Sequence, residues 1–391
     1  MAARTPSPRA VLTGAAAAQA AVSFVTFGLP AIGPQLRQTF GLSLPELGAV
    51  LTANLLGSGL ALILAGTLVD RFGSRAATLG GTAIATGGLV AAALASSKWP
   101  LFVSLLVSGA GSAVVPVAGA GALLRVFPAA QRGRALGVRQ MAVPLGGTLA
   151  AALLPLLEAA GGVRLALLFG AGILSVTGIA FAVVSGGEAP LRVRSPRAFR
   201  SILGTPGMLR LLLVACFYIV VLQALLSYAV PAARAAGLSA FAASVAYFAV
   251  NVTAIVARVV WGGAADRRGG TRRVRTLVET GAVSAVGAVL FAVALHAGAV
   301  AVVAAAVVFG FGALGWNAVV YVTAGERAPP GLAGRSFALA ATVVFILGAL
   351  CTPPLGALAA RAGWDTFWVT TAVLAAIGAA IAARLPRTLP G

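Results

Sequence analysis

Gly66-Thr-Leu-Val-Asp70-Arg71-Phe-Gly73-Ser-Arg75 ends a long apolar run and places an acid, two arginines and two glycines within ten residues. A near copy, Gly262-Gly-Ala-Ala-Asp266-Arg267-Arg-Gly269-Gly-Thr-Arg272, puts its aspartate 196 residues later, about half of the 391-residue chain. The register holds upstream without a gap. Gly41-Leu42-Ser43 becomes Gly237-Leu238-Ser239 at the same offset, and Gly66/Gly262, Arg71/Arg267 and Gly73/Gly269 coincide. A repeat of this length implies two homologous halves.

Composition sets the environment of those halves. The chain is 60% hydrophobic and 9% charged, with a mean hydropathy of +1.01. A soluble domain would carry about a quarter charged residues. Apolar runs of 18 or more residues recur along the whole chain, which is the signature of a polytopic helical membrane protein. The net charge of +20 does not call for nucleic acid, because the arginines fall in short stretches between apolar runs. Cys216 and Cys351 lie inside apolar runs, so no disulfide framework is implied, and no metal or cofactor spacing is present.

In chain order, residues 1–9 read as a cytoplasmic tail. The run that follows Arg9 continues apolar to about Pro34, too long for a cleaved signal, and is α1. Further spans are expected at about 44–69 (α2), 76–96 (α3), 99–126 (α4), 134–158 (α5) and 163–184 (α6). The second set is about 207–233 (α7), 239–265 (α8), 275–296 (α9), 298–325 (α10), 334–359 (α11) and 364–384 (α12). This predicts an all-α protein of twelve transmembrane helices in two pseudo-symmetric six-helix bundles, 10–184 and 207–384. A cytoplasmic linker, 185–206, joins them, and a tail, 385–391, ends the chain. Ser43-x-x-Glu46 has the capping-box spacing at the start of α2.

Basic residues set the orientation. With the N-terminus inside, twenty-one arginines fall on the cytoplasmic side and five Lys or Arg on the outer side; Arg139 and Arg258 remain inside helices. That is a strong positive-inside bias. It predicts both termini, the linker and both Asp-Arg-x-Gly loops in the cytoplasm, as in a multi-pass bacterial inner-membrane protein.

Two six-helix halves with Gly-x-Leu-x-Asp-Arg-x-Gly-x-Arg between α2 and α3 resemble the major facilitator superfamily, over nearly the whole chain. Arg132-Gly-Arg134-Ala-Leu-Gly-Val-Arg139-Gln140-Met-Ala-Val-Pro144-Leu-Gly146-Gly147 further resembles bacterial members of the cyanate-transporter and organic-anion type (monocarboxylate, oxalate/formate-like). The resemblance implies alternating access, the two halves rocking about a central site near the bilayer midplane, in a protein that works as a monomer. Drug exporters of the family carry an arginine four residues before a glycine in α4, where this chain has Val107 before Gly111. Their α5 signature is only partly present, as Pro144-Leu-Gly146-Gly147. Both departures count against drug efflux, which is the alternative reading.

The resemblance also implies a conformational latch built from Asp70, Arg71, Gly73, Arg75, Asp266, Arg267 and Gly269. A carboxylate at the membrane surface is favoured by a helix N-terminus. The family's partner for Asp70 is the start of α11, here near Arg335, and by symmetry Asp266 meets the start of α5, near Arg134. The plainer reading keeps the arginines as positive-inside residues only.

A transport path needs polar stripes at helical spacing. In α8, Ser244, Tyr247, Asn251 and Arg258 share one face. Gln19 in α1, Asn54 in α2, Gln140 in α5, Gln223 in α7, and Asn317 and Tyr321 in α10 complete the candidate substrate residues. Ser104, Ser108 and Ser112 of α4 read as small residues for close helix packing. Pro30, Pro116, Pro144, Pro231, Pro353 and Pro354 mark expected kinks.

Arg258 breaks the repeat, because its counterpart in the first half is Leu62. It stands eight residues, about 12 Å, before Asp266, near the middle of a hydrocarbon layer about 30 Å thick. A charge there costs about 2.5–3.5 kcal/mol on insertion scales and marks function. The eight acids all fall at helix ends, in a loop or in the linker: Glu46, Asp70, Glu158, Glu188, Asp266, Glu279, Glu326 and Asp365. A guanidinium at that depth suits a substrate carboxylate. Arg139, about 7.5 Å inside α5 from Arg134, is a second candidate, though it could snorkel to the surface. The sequence thus reads as a secondary transporter of a small organic anion, not an enzyme. Gly41-Leu42-Ser43 and Gly237-Leu238-Ser239 faintly suggest an intramembrane serine protease, but capping explains both. A non-transporting membrane receptor or scaffold is the alternative of another class.

Overall fold

The repeated glycines are the places where the chain turns. In the computed structural model, which describes residues 7–185, 201–268, 273–329 and 332–386, Gly41 and Gly237 adopt φ 62° and 86°. Both end a helical segment in the left-handed conformation that glycine adopts without strain. Ser239 then caps α8, its Oγ accepting from the Ala242 N–H at 3.1 Å. Capping is therefore what this serine does. Gly73, at φ 78° and ψ 163°, separates α2 from α3 inside the run Leu44–Ala93.

All regular structure among the described residues is helical. Nine helical runs there are long and apolar enough to cross a membrane. Ala135–Val184 and Arg335–Ala383, of 50 and 49 residues, are too long for one crossing of a 30 Å layer at about 1.5 Å per residue. Each holds two spans, separated at Gly161–Gly162 and at Gly363. With α2 in the first part of Leu44–Ala93, the spans number twelve. The fold is the expected polytopic helical membrane architecture, and large apolar side chains such as Leu60, Val176 and Val300 are exposed, as a lipid solvent allows.

Three boundaries differ from the sequence reading. α1 does not stop near Pro34. A 3₁₀ turn, Leu29–Ile32, absorbs Pro30, and Gly33–Phe40 resumes the helix with Pro34 near its start, where a missing N–H costs nothing. α4 is two pieces, Lys98–Ser112 and Val114–Val126, interrupted three residues before Pro116. α10 is also two pieces, Ala299–Ala313 and Trp316–Arg327. The sequence offered no proline there. Trp261 of α8 instead packs against Gly315, where an added Cβ would lie 2.1 Å from the indole Cδ1. Pro144, Pro231, Pro353 and Pro354 sit within continuous helices.

The chain divides into two compact units: Met1–Ser43 with Ala49–Val193, and Leu44–Gly48 with Arg194–Gly391. Residues 186–200 of the expected linker lie outside the described residues, as do 1–6 and 387–391 of the tails. Residues 201–203 are helical, and Ile202 is buried.

In the first unit, α2 and α4 touch through their backbones. A Cβ on Gly57 would come within 1.9 Å of the Leu106 carbonyl oxygen, and one on Gly109 within 1.9 Å of the Asn54 carbonyl oxygen. Ser58 Oγ donates to the Gly109 carbonyl at 2.9 Å. Small residues bring the helices this close because lipid provides no hydrophobic drive for their association.

Candidate substrate site

In the first unit, Arg139 projects from α5 into the bundle and is buried. Its Nη1 donates to Gln19 Oε1 of α1 at 3.2 Å and to the Pro116 carbonyl of α4 at 3.1 Å. Its Nη2 donates to Gln140 Oε1 at 3.4 Å. Arg139 therefore stays within the unit instead of reaching the surface, and it joins α1, α4 and α5 through neutral oxygens. Gln19, Arg139 and Gln140 thus come together.

Asn54 does not join them. It is fully buried, accepts from Thr26 Oγ1 at 2.7 Å, and its Nδ2 faces Ser108 Oγ at 3.3 Å and the Leu105 carbonyl at 3.5 Å. Its amide binds α1, α2 and α4 to one another. Ser108 takes part in that packing, as its size suggested.

In the second unit, Tyr247 and Asn251 are buried, and Asn251 Nδ2 donates to the Tyr247 carbonyl one turn back, at 3.0 Å. Gln223 of α7 reaches Thr352 Oγ1 of α11 at 3.5 Å. Arg258, further along α8, is only half-buried and lies within electrostatic reach of the Tyr321 phenol of α10. The Tyr321 ring packs on Phe337 of α11, centroids 4.7 Å apart. Asn317 stands one turn before Tyr321, in the same second segment of α10. Trp261, one turn after Arg258, donates its indole N–H to the Phe311 carbonyl at 2.8 Å and packs on the Phe311 ring. One guanidinium, one phenol and one carboxamide are thus carried by adjacent helices of one unit, on a wall fixed by Trp261.

The loop residues separate into two arrangements. Asp70, Arg71 and Arg75 are exposed; the Arg71 guanidinium lies 5.3 Å from the Phe72 ring centroid. The loop is tied down beside them by Arg125 of α4, which donates to Ser74 Oγ at 2.7 Å. In the second copy, Asp266 pairs with Arg273 at 3.4 Å while remaining largely exposed. Arg273 is itself buried, and it also pairs with Glu326 at the end of α10. Arg268 bonds Glu279 at 2.6 Å and Thr276 at 3.0 Å, and Arg275 reaches the same carboxylate at 3.2 Å. Arg267 is exposed and Arg335 half-buried. Gly269 and the Arg134 side chain lie outside the described residues.

This network was not among the site residues expected from the sequence, where Arg268, Arg273 and Arg275 read as topology signals and Glu279 and Glu326 as end residues. The usable signal was the clustering of three arginines and two acids at the same ends of α8, α9 and α10. Arg327 was likewise counted only as a charge. It is fully buried and joins the Pro206 and Pro386 carbonyls before α7 and after α12. Among the described residues, no group of three His, Cys, Asp or Glu side chains could hold a metal.

A model of the Major Facilitator Superfamily matches residues 15–352. The backbone is similar to that of a bacterial homologue of the human lysosomal transporter Spinster in an inward-facing, unoccupied conformation, with TM-score 0.80 and 16% identity over 96% of each chain. It is similar to a D-xylose–proton symporter at TM-score 0.78 and 14% identity, over 96% of this chain and 97% of that one. A peptide transporter, POT, in complex with sulfate superposes at TM-score 0.77 and 15% identity, over 97% and 96%. No curated protein sequence matched the chain.

Proposed function

We propose an anionic substrate for this chain, which belongs to the Major Facilitator Superfamily and is a multi-pass secondary transporter working by alternating access, not an enzyme. The solute is a small organic anion, a carboxylate or a similar oxyanion. The observation that carries this reading is Arg258: a permanent cation about two-thirds of the way along α8, half-buried and within electrostatic reach of the Tyr321 phenol. A guanidinium forks a carboxylate through two parallel hydrogen bonds, and a phenol can donate a third. The alternative, efflux of a lipophilic compound, would favour an apolar lining over a charge held at that depth. The decisive measurement is counterflow of labelled di- and tricarboxylates into proteoliposomes, scored against a lipophilic cation such as tetraphenylphosphonium. Counterflow of the cation with none of the acids would overturn the anionic reading.

The orientation follows from the twenty-one to five distribution of basic residues. Both termini are cytoplasmic in a bacterial inner membrane. A reporter that works only in the cytoplasm is expected to be active when fused after Gly391. Activity of a strictly periplasmic reporter at that position would contradict it.

Asp70 and Asp266 act as conformational latches in this reading. In the state where either carboxylate engages a helix N-terminus, the charge-assisted contact is worth about 1–3 kcal/mol, and an amide would forgo it, enough to move a near-balanced equilibrium about fivefold or more. Asp70→Asn and Asp266→Asn should reach the membrane normally and shift the thiol accessibility of single cysteines at the two membrane faces. Unchanged accessibility in both variants would remove the latch.

A further inference from the structure

We infer that Asn317 reads a hydrogen-bond donor on the transported anion, which makes the substrate a hydroxycarboxylate. The inference rests on the anionic reading of Arg258 and adds a specificity residue to it. Asn317 is partly exposed, yet its Oδ1 is buried and has no hydrogen-bond partner. Buried carboxamide oxygens are satisfied in the great majority of cases, so this one stands ready for a donor from outside the protein. Its position is fixed rather than accidental. Gly315, two residues earlier, is held against Trp261, and Trp261 is anchored on the Phe311 carbonyl at 2.8 Å. Tyr321, one turn later, lies within electrostatic reach of Arg258.

The chemistry of the three groups is complementary. The guanidinium only donates and the carboxamide oxygen only accepts. A ligand that meets both must therefore present an acceptor anion and a donor close to it. A hydroxyl fits better than an ammonium, because an ammonium beside Arg258 would need a carboxylate at the same depth. The acids of this unit stand at helix ends: Asp266, Glu279 and Glu326 are held by arginines, Asp365 pairs with His296 at 2.9 Å, and Glu46 lies at the start of α2.

The test uses full-length purified protein and calorimetric titration with three acid pairs: 2-hydroxypropanoate and propanoate, malate and succinate, and citrate and propane-1,2,3-tricarboxylate. The wild type should bind the hydroxylated member of at least one pair about tenfold tighter or more, the scale of one buried hydrogen bond. Asn317→Leu should bring that pair to within about twofold by weakening the hydroxylated acid alone. Retained binding of the parent acid shows that the variant is folded, and Asn317→Ala repeats the measurement with a smaller side chain. Equal affinities within every pair in the wild type, or a preference that survives both substitutions, overturns the inference while leaving the anionic reading in place. Absence of binding by all six acids, or acid binding unaffected by Arg258→Gln, overturns the anionic reading and this inference with it.

Discussion

Arg258→Gln is expected to abolish the proposed carboxylate transport while the protein reaches the membrane in normal amount. Glutamine keeps the length and a donor but loses the charge and the fork. Truncating one partner of a buried, hydrogen-bonded charge pair costs about 2–5 kcal/mol, or roughly a thirtyfold to few-thousandfold loss of affinity. Arg258→Lys should recover little, because an ammonium restores the charge but not two parallel hydrogen bonds in one plane. Folding should survive both changes, since the repeat places Leu62 at the matching position and the architecture does not require a cation there. The measurement is initial-rate counterflow in proteoliposomes, normalised to protein by immunoblot, with the melting temperature in detergent as a folding control. Full transport of a neutral or cationic solute by Arg258→Gln would discard the anion and promote lipophilic efflux. A residual role for Arg139 can be read in the same assay. Its guanidinium already bonds Gln19, Pro116 and Gln140, so Arg139→Gln should lower the melting temperature as well as the flux. A change confined to flux would instead favour direct substrate contact.

Gly57→Val and Gly109→Val should prevent the first bundle from forming. At each position the Cβ alone would sit 1.9 Å from a carbonyl oxygen of the facing helix, and a backbone atom cannot swing aside as a side chain can. Relief requires α2 and α4 to move apart by more than an ångström. That motion also breaks the contacts of Asn54 with Ser108 and of Ser58 with Gly109. Overpacking of this kind costs about 3 kcal/mol or more, and the separated polar groups add to it. Fluorescence-detected gel filtration should show aggregated or absent protein for both variants. Gly66→Ala and Gly262→Ala are the contrast. Both glycines belong to the repeated loop sequence, yet a Cβ there meets nothing within 4 Å. They should give a monodisperse peak close to wild type. A normal peak for Gly109→Val would mean that the α2–α4 contact is looser than these distances require.

The contacts around the two loop copies differ. In the second copy Asp266 has Arg273 beside it, a buried guanidinium that also serves Glu326. In the first copy the neighbouring contact is Arg125 with Ser74, an arginine on a hydroxyl, and Asp70 stands exposed. The same short sequence pattern therefore carries different electrostatics in the two halves, because its partners come from helices whose sequences have drifted.

The sequence by itself determined the number of spans, their helical character and the twofold repeat of the chain. Each depends on short-range information. Twenty apolar residues must form a helix in lipid because no water satisfies the backbone. A glycine that alone tolerates a left-handed turn marks the same corner in both halves, as at Gly41 and Gly237. The interruption of α10 was not legible, because a tryptophan from another helix accompanies it and not a proline of its own. The partners of each intramembrane polar residue were also decided only by tertiary structure. Helical periodicity says which face a side chain occupies, not what stands opposite. Asn54 and Arg139 read alike as lining candidates; the structure gives Asn54 partners on two neighbouring helices and joins three helices through Arg139 and neutral oxygens. Asn317 read like Asn54 in the sequence, but Asn54 Oδ1 accepts from Thr26, whereas the surrounding helices bury the Asn317 Oδ1 without giving it a donor.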